Sequence, residues 1–294
     1  MNLHLLRLFA AVAHQRSFSR AAEVLRISQP AVSKGVRELE IQLSAPLLER
    51  GSGGVRLTEA GHVLIGHAQA LFAIEQTAEE ALDALRGLHR GTLRVGASTT
   101  VATYFLAPLL NSFARAYPAI ELHLTSANTS TIVDLLVRRE LDIALAEGPI
   151  ELDGVIVKPW RDDELVFVVA VGHPLAARKG LTTLADLADE TIVLREHGSG
   201  TRNIAWEALK TAGLAARRIL EVSGNEAIAQ IVAAGLGVGI LSSAAVADHI
   251  ALGRLKRLKF KNLTIRRTLT RLSLPHRQPS PATVAFDQLL DDAV

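Results

Sequence analysis

Ile27-Ser28-Gln29-Pro30-Ala31-Val32-Ser33-Lys34-Gly35-Val36-Arg37-Glu38-Leu39-Glu40 is the stretch on which the fold turns. Ser28 is a natural N-cap, because its hydroxyl can accept from an amide in the following turn. Pro30 falls in that first turn, where a missing N–H costs nothing. Val32, Val36, Leu39 and then Leu43 recur at three- and four-residue intervals, the mark of one buried helical face. Gln29, Ser33, Lys34 and Arg37 lie on the opposite face. These types suit groove readout: Gln can bond adenine, Lys or Arg can bond guanine or phosphate, and Ser can bond either.

Working outward, Leu3, Leu6, Phe9, Ala10 and Ala13 space a first amphipathic helix over 3–14, and Ser17 or Ser19 can cap a short helix over 20–26. The small Ala21-Ala22 pair allows close packing, and Ile27-Ser28-Gln29 makes a tight break. The pattern is helix, turn, helix, although an ordinary helical hairpin with a solvated face would read alike. Downstream, Pro46-Leu47-Leu48-Glu49-Arg50 runs into Gly51-Ser52-Gly53-Gly54-Val55-Arg56-Leu57. Two short apolar pieces around a Gly-rich tip predict a β-hairpin, hence a wing carrying Arg50 and Arg56 toward a phosphate backbone or minor groove.

Charge agrees. Residues 1–58 hold eight Lys/Arg against four acids, a local charge of +4, so the remainder carries −2 in a chain whose total is +2. A positive end on a nearly neutral chain points mildly to a polyanion. There are no cysteines among the 294 residues, which excludes disulfides and thiolate chemistry. The N-terminus does not read as a signal peptide, since Arg7 and Arg16 interrupt its apolar residues, and no apolar run approaches a membrane span. A soluble, cytoplasmic protein without membrane contact is expected.

From Thr58 to Leu88 the chain lacks proline. Leu64, Leu71, Ala78 and Leu85 repeat every seven residues, with Ala68, Glu75 and Leu82 at the other seam position. This predicts a long helix pairing two copies through Leu64, Leu71, Ala78, Leu82 and Leu85, or a single helix lying on its own domain. Gly87, Arg90 and Gly91 read as a hinge.

Beyond residue 91 the texture alternates β and α, predicting an α/β domain with mainly parallel sheets in two lobes. Strands are expected over 92–97, 120–125, 142–146, 164–171, 191–194, 219–222, 238–241 and 263–274. Helices are expected over 104–116, 131–139, 201–212, 226–234 and 281–290. Ligands in open α/β sheets sit at strand carboxyl ends and helix N-termini. The candidates there are Ser98, Thr99, Thr100, Asn128, Thr129, Glu147, Arg195, Ser199, Thr201, Arg202, Asn225 and Glu226. The run 195–202 is rich in Ser, Gly and Thr and flanked by two arginines, which suits a small anion. Equally, Ser199 could cap its helix and both arginines could form internal ion pairs.

The decoys fall away. Gly235-Leu236-Gly237-Val238-Gly239 leads from helix into strand, the reverse of a dinucleotide fingerprint, so no cofactor is expected. His62 and His67 do not share a helical face, and no metal site or catalytic set is expected. The basic run 254–271 reads as a solvated face, a subunit contact or a second nucleic-acid surface.

Ser17-Phe18-Ser19-Arg20-Ala21-Ala22, Ser28-Gln29-Pro30-Ala31-Val32-Ser33, Leu39-Glu40, Pro46-Leu47-Leu48-Glu49-Arg50 and Leu57-Thr58-Glu59-Ala60-Gly61 resemble, in order and spacing, the DNA-binding domain of LysR-type transcriptional regulators. Leu141-Asp142-Ile143-Ala144-Leu145, Gly172-His173-Pro174-Leu175 and 235–241 resemble that family's periplasmic-binding-protein-like effector domain. The 195–202 run resembles the branch controlling carbon-fixation and sulfur-assimilation operons. The resemblance implies a winged helix-turn-helix over 1–58 and a linker helix and hinge over 59–90. An effector domain then follows over 91–294, with lobe I about 91–161 and 266–294 and lobe II about 162–265. It implies a double-stranded operator read by Ser28, Gln29, Pro30, Ser33, Lys34, Arg37, Arg50 and Arg56, a homodimer or homotetramer, contact with RNA polymerase, and a small anionic metabolite between the lobes. Two departures stand out: Gly35 replaces a larger polar residue and removes one expected base contact, and the wing tip lacks an extra basic residue. A solute-binding component or an enzyme using the cleft remain the rival readings.

Overall fold

The computed structural model describes residues 2–51, 54–85, 91–150, 152–178, 180–214, 216–261, 263–275 and 279–293, without the side chains of 50, 51, 76, 77, 80, 81 and 83–85. The chain divides into two compact units, 1–79 and 80–294.

The first unit is built from α1 (Leu3–Gln15), α2 (Phe18–Leu25), α3 (Gln29–Leu43), the hairpin β1 (Leu48–Gly51) and β2 (Gly54–Leu57), and the start of α4 (Glu59–Leu85). Each helix start follows its cap: Asn2, Ser17 and Ser28 side chains accept from His4, Arg20 and Ala31 amides. Each of the first three helices ends on a non-glycine residue in the left-handed region, Arg16, Arg26 and Ser44. Leu6, Phe9, Val12, Ala21, Val32, Val36 and Leu39 form one core, joined by Leu47 and by Ala68 of α4.

Two polar ties fix the hairpin to the helices. The Glu40 carboxylate accepts from the Leu47 and Leu48 amides at 2.8 and 3.2 Å, and the Val55 amide donates to the Arg16 carbonyl at 3.1 Å.

The second unit holds β3 (Gly91–Ser98), α5 (Thr99–Tyr104), α6 (Ala107–Ala116), β4 (Ile120–Ala127), α7 (Thr129–Val137), β5 (Ile143–Glu147), β6 (Ile156–Ala170), α8 (Pro174–Ala177), β7 (Thr191–Arg195), α9 (Gly200–Thr211), β8 (Arg218–Val222), α10 (Asn225–Ala233), β9 (Val238–Ser242), α11 (Ser243–Ala251), β10 (Leu255–Arg257), β11 (Ile265–Ser273) and α12 (Pro281–Asp292). One mixed sheet runs in the order β4-β3-β5-β11-β6-β9-β7-β8, with β10 paired to β6. The mainly parallel expectation therefore needs correcting. β3, β4 and β5 are parallel at one end and β7, β8 and β9 at the other, but β6 and β11 run antiparallel between them.

Those two central strands pair from Ile265↔Leu165 to Ser273↔Ile156, with a bulge at Trp160, which the register skips. A bulge tolerates Pro159 within a central strand and turns Trp160 into the first lobe's core, where its indole donates to the Leu290 carbonyl at 3.1 Å. That core includes Leu93, Val95, Phe113, Leu145 and Phe286. The second lobe's sheet is covered on one face by α9, through Ala205 and Leu209, and on the other by α10, through Ile228 and Val232.

Candidate functional site

On the first unit, α3 turns Gln29, Pro30, Lys34 and Arg37 outward, with Ser28 exposed at its cap. Ser33 is half-buried and its hydroxyl accepts from the Gln29 amide group at 2.8 Å. Arg56 is exposed on β2, opposite Glu49 in register. Arg50 pairs with Val55 along the backbone, and its side chain lies outside the described residues. Among the described residues no acidic side chain forms an ion pair with Lys34, Arg37 or Arg56. Among the described residues the face therefore presents cations that no acid neutralises.

Gly35 is a correction. The sequence reads its missing side chain as the loss of one possible base contact. Gly35 is buried, and a Cβ there would overlap Leu8 Cδ1 and touch Leu5 of α1. The missing side chain lets α1 and α3 approach closely.

The linker seam also needs correcting in its first half. Ala68 is fully buried in the first unit's own core, and Leu64 and Leu71 pack against that core. Glu75, the polar interruption, pairs with Arg7 of α1, whose guanidinium lies 5.5 Å from the Phe72 ring centre. Among its described side chains, the large apolar ones that α4 leaves exposed are Val63, Ile74 and Leu82, with Ala78 exposed between the last two. The Leu85 side chain and residues 86–90 of the expected hinge lie outside the described residues; Gly91 opens β3.

In the second unit the expected effector residues form two buried networks between the lobes. Glu147, at the end of β5, is 1 % exposed. It accepts from the Ser98 hydroxyl and from the Thr201 hydroxyl at 3.0 Å. The Thr129 hydroxyl donates to the Glu147 carbonyl at 3.1 Å and accepts from the Gly200 amide at 3.2 Å. The second network runs from Arg195, which donates to Glu196 through two nitrogens at 2.8 Å and to Asn225 at 2.8 Å. The Asn225 amide then donates to the Thr100 hydroxyl at 3.1 Å. Burial works to raise the Glu196 carboxyl, but the Arg195 hydrogen bond and backbone amides outweigh it and hold it below its ordinary value.

Other candidates face elsewhere. Thr99 bonds the Ala127 carbonyl at 3.2 Å and Asn128 caps α7. Arg202 lies against Glu221 at 3.4 Å and His197 at 3.0 Å. Glu226 is mostly exposed and paired with His249 at 3.1 Å; hydrogen bonds from Gln230 and His249 hold its carboxyl below the ordinary range. Both arginines are thus internally paired. Ser199, in contrast, makes no capping bond; its hydroxyl is buried without a partner among the described residues.

Three residues of this site went unread in the sequence. Arg267 of β11 donates to Asp163 at 2.7 Å and to the Thr201 hydroxyl at 2.8 Å, and lies 3.6 Å from Glu147. Ser242 donates to Asp163 at 2.9 Å. The readable signal was phase: Ile265, Arg267, Leu269 and Arg271 alternate on the buried face of one strand. The basic run 254–271 accordingly divides. Arg267 and Arg271 are buried and paired, Lys256 donates to the Ala176 carbonyl, and Arg257 pairs with Glu164. Arg254, Lys259, Lys261 and Arg266 remain exposed.

Among the described residues no group of acids and histidines could hold a metal ion, and no helix is long and apolar enough to cross a membrane.

Comparison with known proteins agrees with this architecture. Residues 3–62 match the bacterial regulatory helix-turn-helix protein, lysR family, and residues 86–294 match the LysR substrate binding domain. The RuBisCO operon transcriptional regulator of Allochromatium vinosum is 34% identical over 290 residues, covering 99% of this chain and 95% of that one. The full-length OxyR of Pseudomonas aeruginosa superposes with a TM-score of 0.77 at 29% identity, over 99% of this chain and 94% of that one. The regulatory domain of CcmR from Synechocystis PCC6803, solved in complex with 2-PG, matches 69% of this chain and 97% of its own at 32% identity and a TM-score of 0.63. With both parts of the chain matched in order, and a relative alike along nearly its whole length, this protein belongs to the LysR family of transcriptional regulators.

Proposed function

We propose that the protein binds a double-stranded operator through α3 and the wing, as a homodimer or homotetramer, and that a small anionic metabolite held between the two lobes controls it. The observation that carries the first part is the outward face of α3, where Gln29, Lys34 and Arg37 are exposed together beside a wing bearing Arg56. Gln29 and Ser33 are assigned to base edges, Ser28 and Pro30 to the helix start at the groove, and Lys34, Arg37, Arg50 and Arg56 chiefly to phosphate. Pairing of two copies falls to the exposed α4 positions Val63, Ile74, Ala78 and Leu82 rather than to Leu64 and Leu71, since half-sites need two modules at fixed spacing. Recruitment of RNA polymerase follows from the same role.

The anionic effector is supported by the start of α9, where Ser199 offers a buried hydroxyl without a partner among the described residues. The 2-PG carried by the CcmR regulatory domain is an anion of the same kind, and the named relative points to a carbon-fixation operon as target. Effector binding alters lobe closure and the packing of subunits, and thereby the spacing and bend of two operator half-sites.

The test is a footprint on the DNA upstream of a RuBisCO operon, combined with a thermal-shift series of 2-PG and inorganic phosphate. A ligand at 100 times its dissociation constant should add about 2.7 kcal/mol of stability. Protection of two half-sites one or more helical turns apart is expected. A protein that stabilises with 2-PG but protects no DNA would contradict the operator assignment.

A further inference from the structure

Glu147 reaches the start of α9, the position to which the function proposed above assigns an anion. The first turn of α9, a 12-residue helix, presents the Gly200 amide and the Ser199 and Thr201 hydroxyls. Thr201 already donates to Glu147, and the Gly200 amide reaches the Glu147 carbonyl through Thr129. The backbones meet there too: a Cβ on Gly200 would overlap the Glu147 carbonyl. Flanking bonds join the same lobes, from the Ser130 amide to the Gly198 carbonyl at 3.1 Å and from Asn225 to Thr100.

The charges in this cluster are unequal. Glu147 and Asp163 are two carboxylates with side chains 1 % and 2 % exposed, and the guanidinium between them is that of Arg267, also 1 % exposed. A further anion entering beside Glu147 would place three negative groups around one positive group away from water, which is strongly unfavourable. An anionic effector and the Glu147 carboxylate therefore compete for the same donors.

We propose that Glu147 is the cleft's resident anion: a carboxylate from one lobe that occupies the α9 start of the other, latches the lobes together without effector, and leaves that position when an anionic effector takes it. The proposal rests on the anionic reading of the cleft given above. It makes Glu147 a determinant of effector affinity that acts by competition, and Ser199 the hydroxyl left open to the newcomer.

The test uses the full chain and three variants, Glu147→Gln, Thr201→Val and Gly200→Ala. Gln keeps the shape of Glu147 and removes its charge, Val removes the donor, and the alanine methyl separates the backbones sterically, so that one misfolded variant does not decide the matter. Amide hydrogen exchange should rise about tenfold in segments 128–131 and 198–202, the change expected for loss of one charged hydrogen bond, and stay at the wild-type rate in core segments 93–97 and 286–290. Glu147→Gln should also bind 2-PG or inorganic phosphate about tenfold more tightly than wild type. Unchanged exchange in all three variants overturns the latch. Increased exchange with 2-PG bound no more tightly by Glu147→Gln than by wild type overturns the competition. Increased exchange with neither probe bound by wild type or variant leaves the latch standing and shows that the anionic reading of the cleft is what fails.

Discussion

Arg37 and Gly35 sit two residues apart on α3 and carry opposite lessons. Arg37 projects into solvent without an ion pair among the described residues, so its charge is available to a phosphate. Arg37→Ala should weaken operator binding and flatten the salt dependence of log K by about one unit, the signature of one lost phosphate contact. An unchanged slope with reduced discrimination between operator and random DNA would assign Arg37 to base reading instead. Gly35 instead faces Leu8 across the α1–α3 contact. Alanine would ordinarily gain a helix about 1 kcal/mol over glycine, whereas overpacking a filled core costs about 1–3 kcal/mol. Gly35→Ala should therefore lower the urea midpoint of the wild type and raise it in a Leu8→Ala background, where the methyl finds room. The same sign in both backgrounds would show that Leu8 is not what the missing side chain makes room for.

Among the elements, α4 shows most clearly how a sequence pattern can be real and yet carry two meanings. Its heptads are present, but the module uses Ala68, Leu64 and Leu71 for its own core and pairs Glu75 with Arg7. Only Val63, Ile74 and Leu82 remain as exposed large apolar groups among its described side chains. Ile74→Glu should thus dissociate the oligomer in sedimentation or light scattering without lowering helix content, while Leu71→Glu should unfold the first unit; an oligomer that survives Ile74→Glu places the contact elsewhere.

The same distinction between period and partner explains what was legible elsewhere. Helix starts were readable where a Ser cap and a proline coincide, at Ser28-Gln29-Pro30 and Ser280-Pro281, but not at His173-Pro174, where the four-residue α8 is too short to show a period. The expected helix over 104–116 breaks at Phe105 and Leu106 because Pro108, the second residue of α6, has no N–H for the Tyr104 carbonyl four residues back, and its ring crowds that carbonyl. α11 escaped because Ser243–Ala251 is alanine-rich on every side and follows Ser242 of β9 with no intervening loop. β6 begins eight residues before its expected start because Pro159 and the charges at 161–163 hide a strand that only its pairing with β11 reveals. The cleft was legible as a set of strand ends. Its wiring was not, since Arg267 and Asp163 meet through the register of two strands about a hundred residues apart in sequence.

At the scale of the whole molecule the question is how far one bond can move a switch. Carrying a two-state equilibrium from 1:99 to 99:1 takes about 5.5 kcal/mol of differential free energy. One hydrogen bond to a charged group contributes about 1.5–3 kcal/mol, a factor of roughly 10–150. Glu147→Gln removes the charge from one such cluster but leaves the Ser130–Gly198 and Asn225–Thr100 bonds in place. It should therefore shift the lobes part of the way and no further. On the operator, this variant without effector should give a footprint and bend angle between those of the wild type alone and the wild type saturated with effector, and adding effector should complete the change. A footprint identical to that of the ligand-free wild type, from a variant whose cleft exchanges faster, would mean that lobe opening is not what the winged modules sense. A footprint already at the saturated endpoint would mean that Glu147 alone holds the switch and that the flanking bonds contribute little to it. The intermediate result is the one that the number of bonds across the cleft predicts.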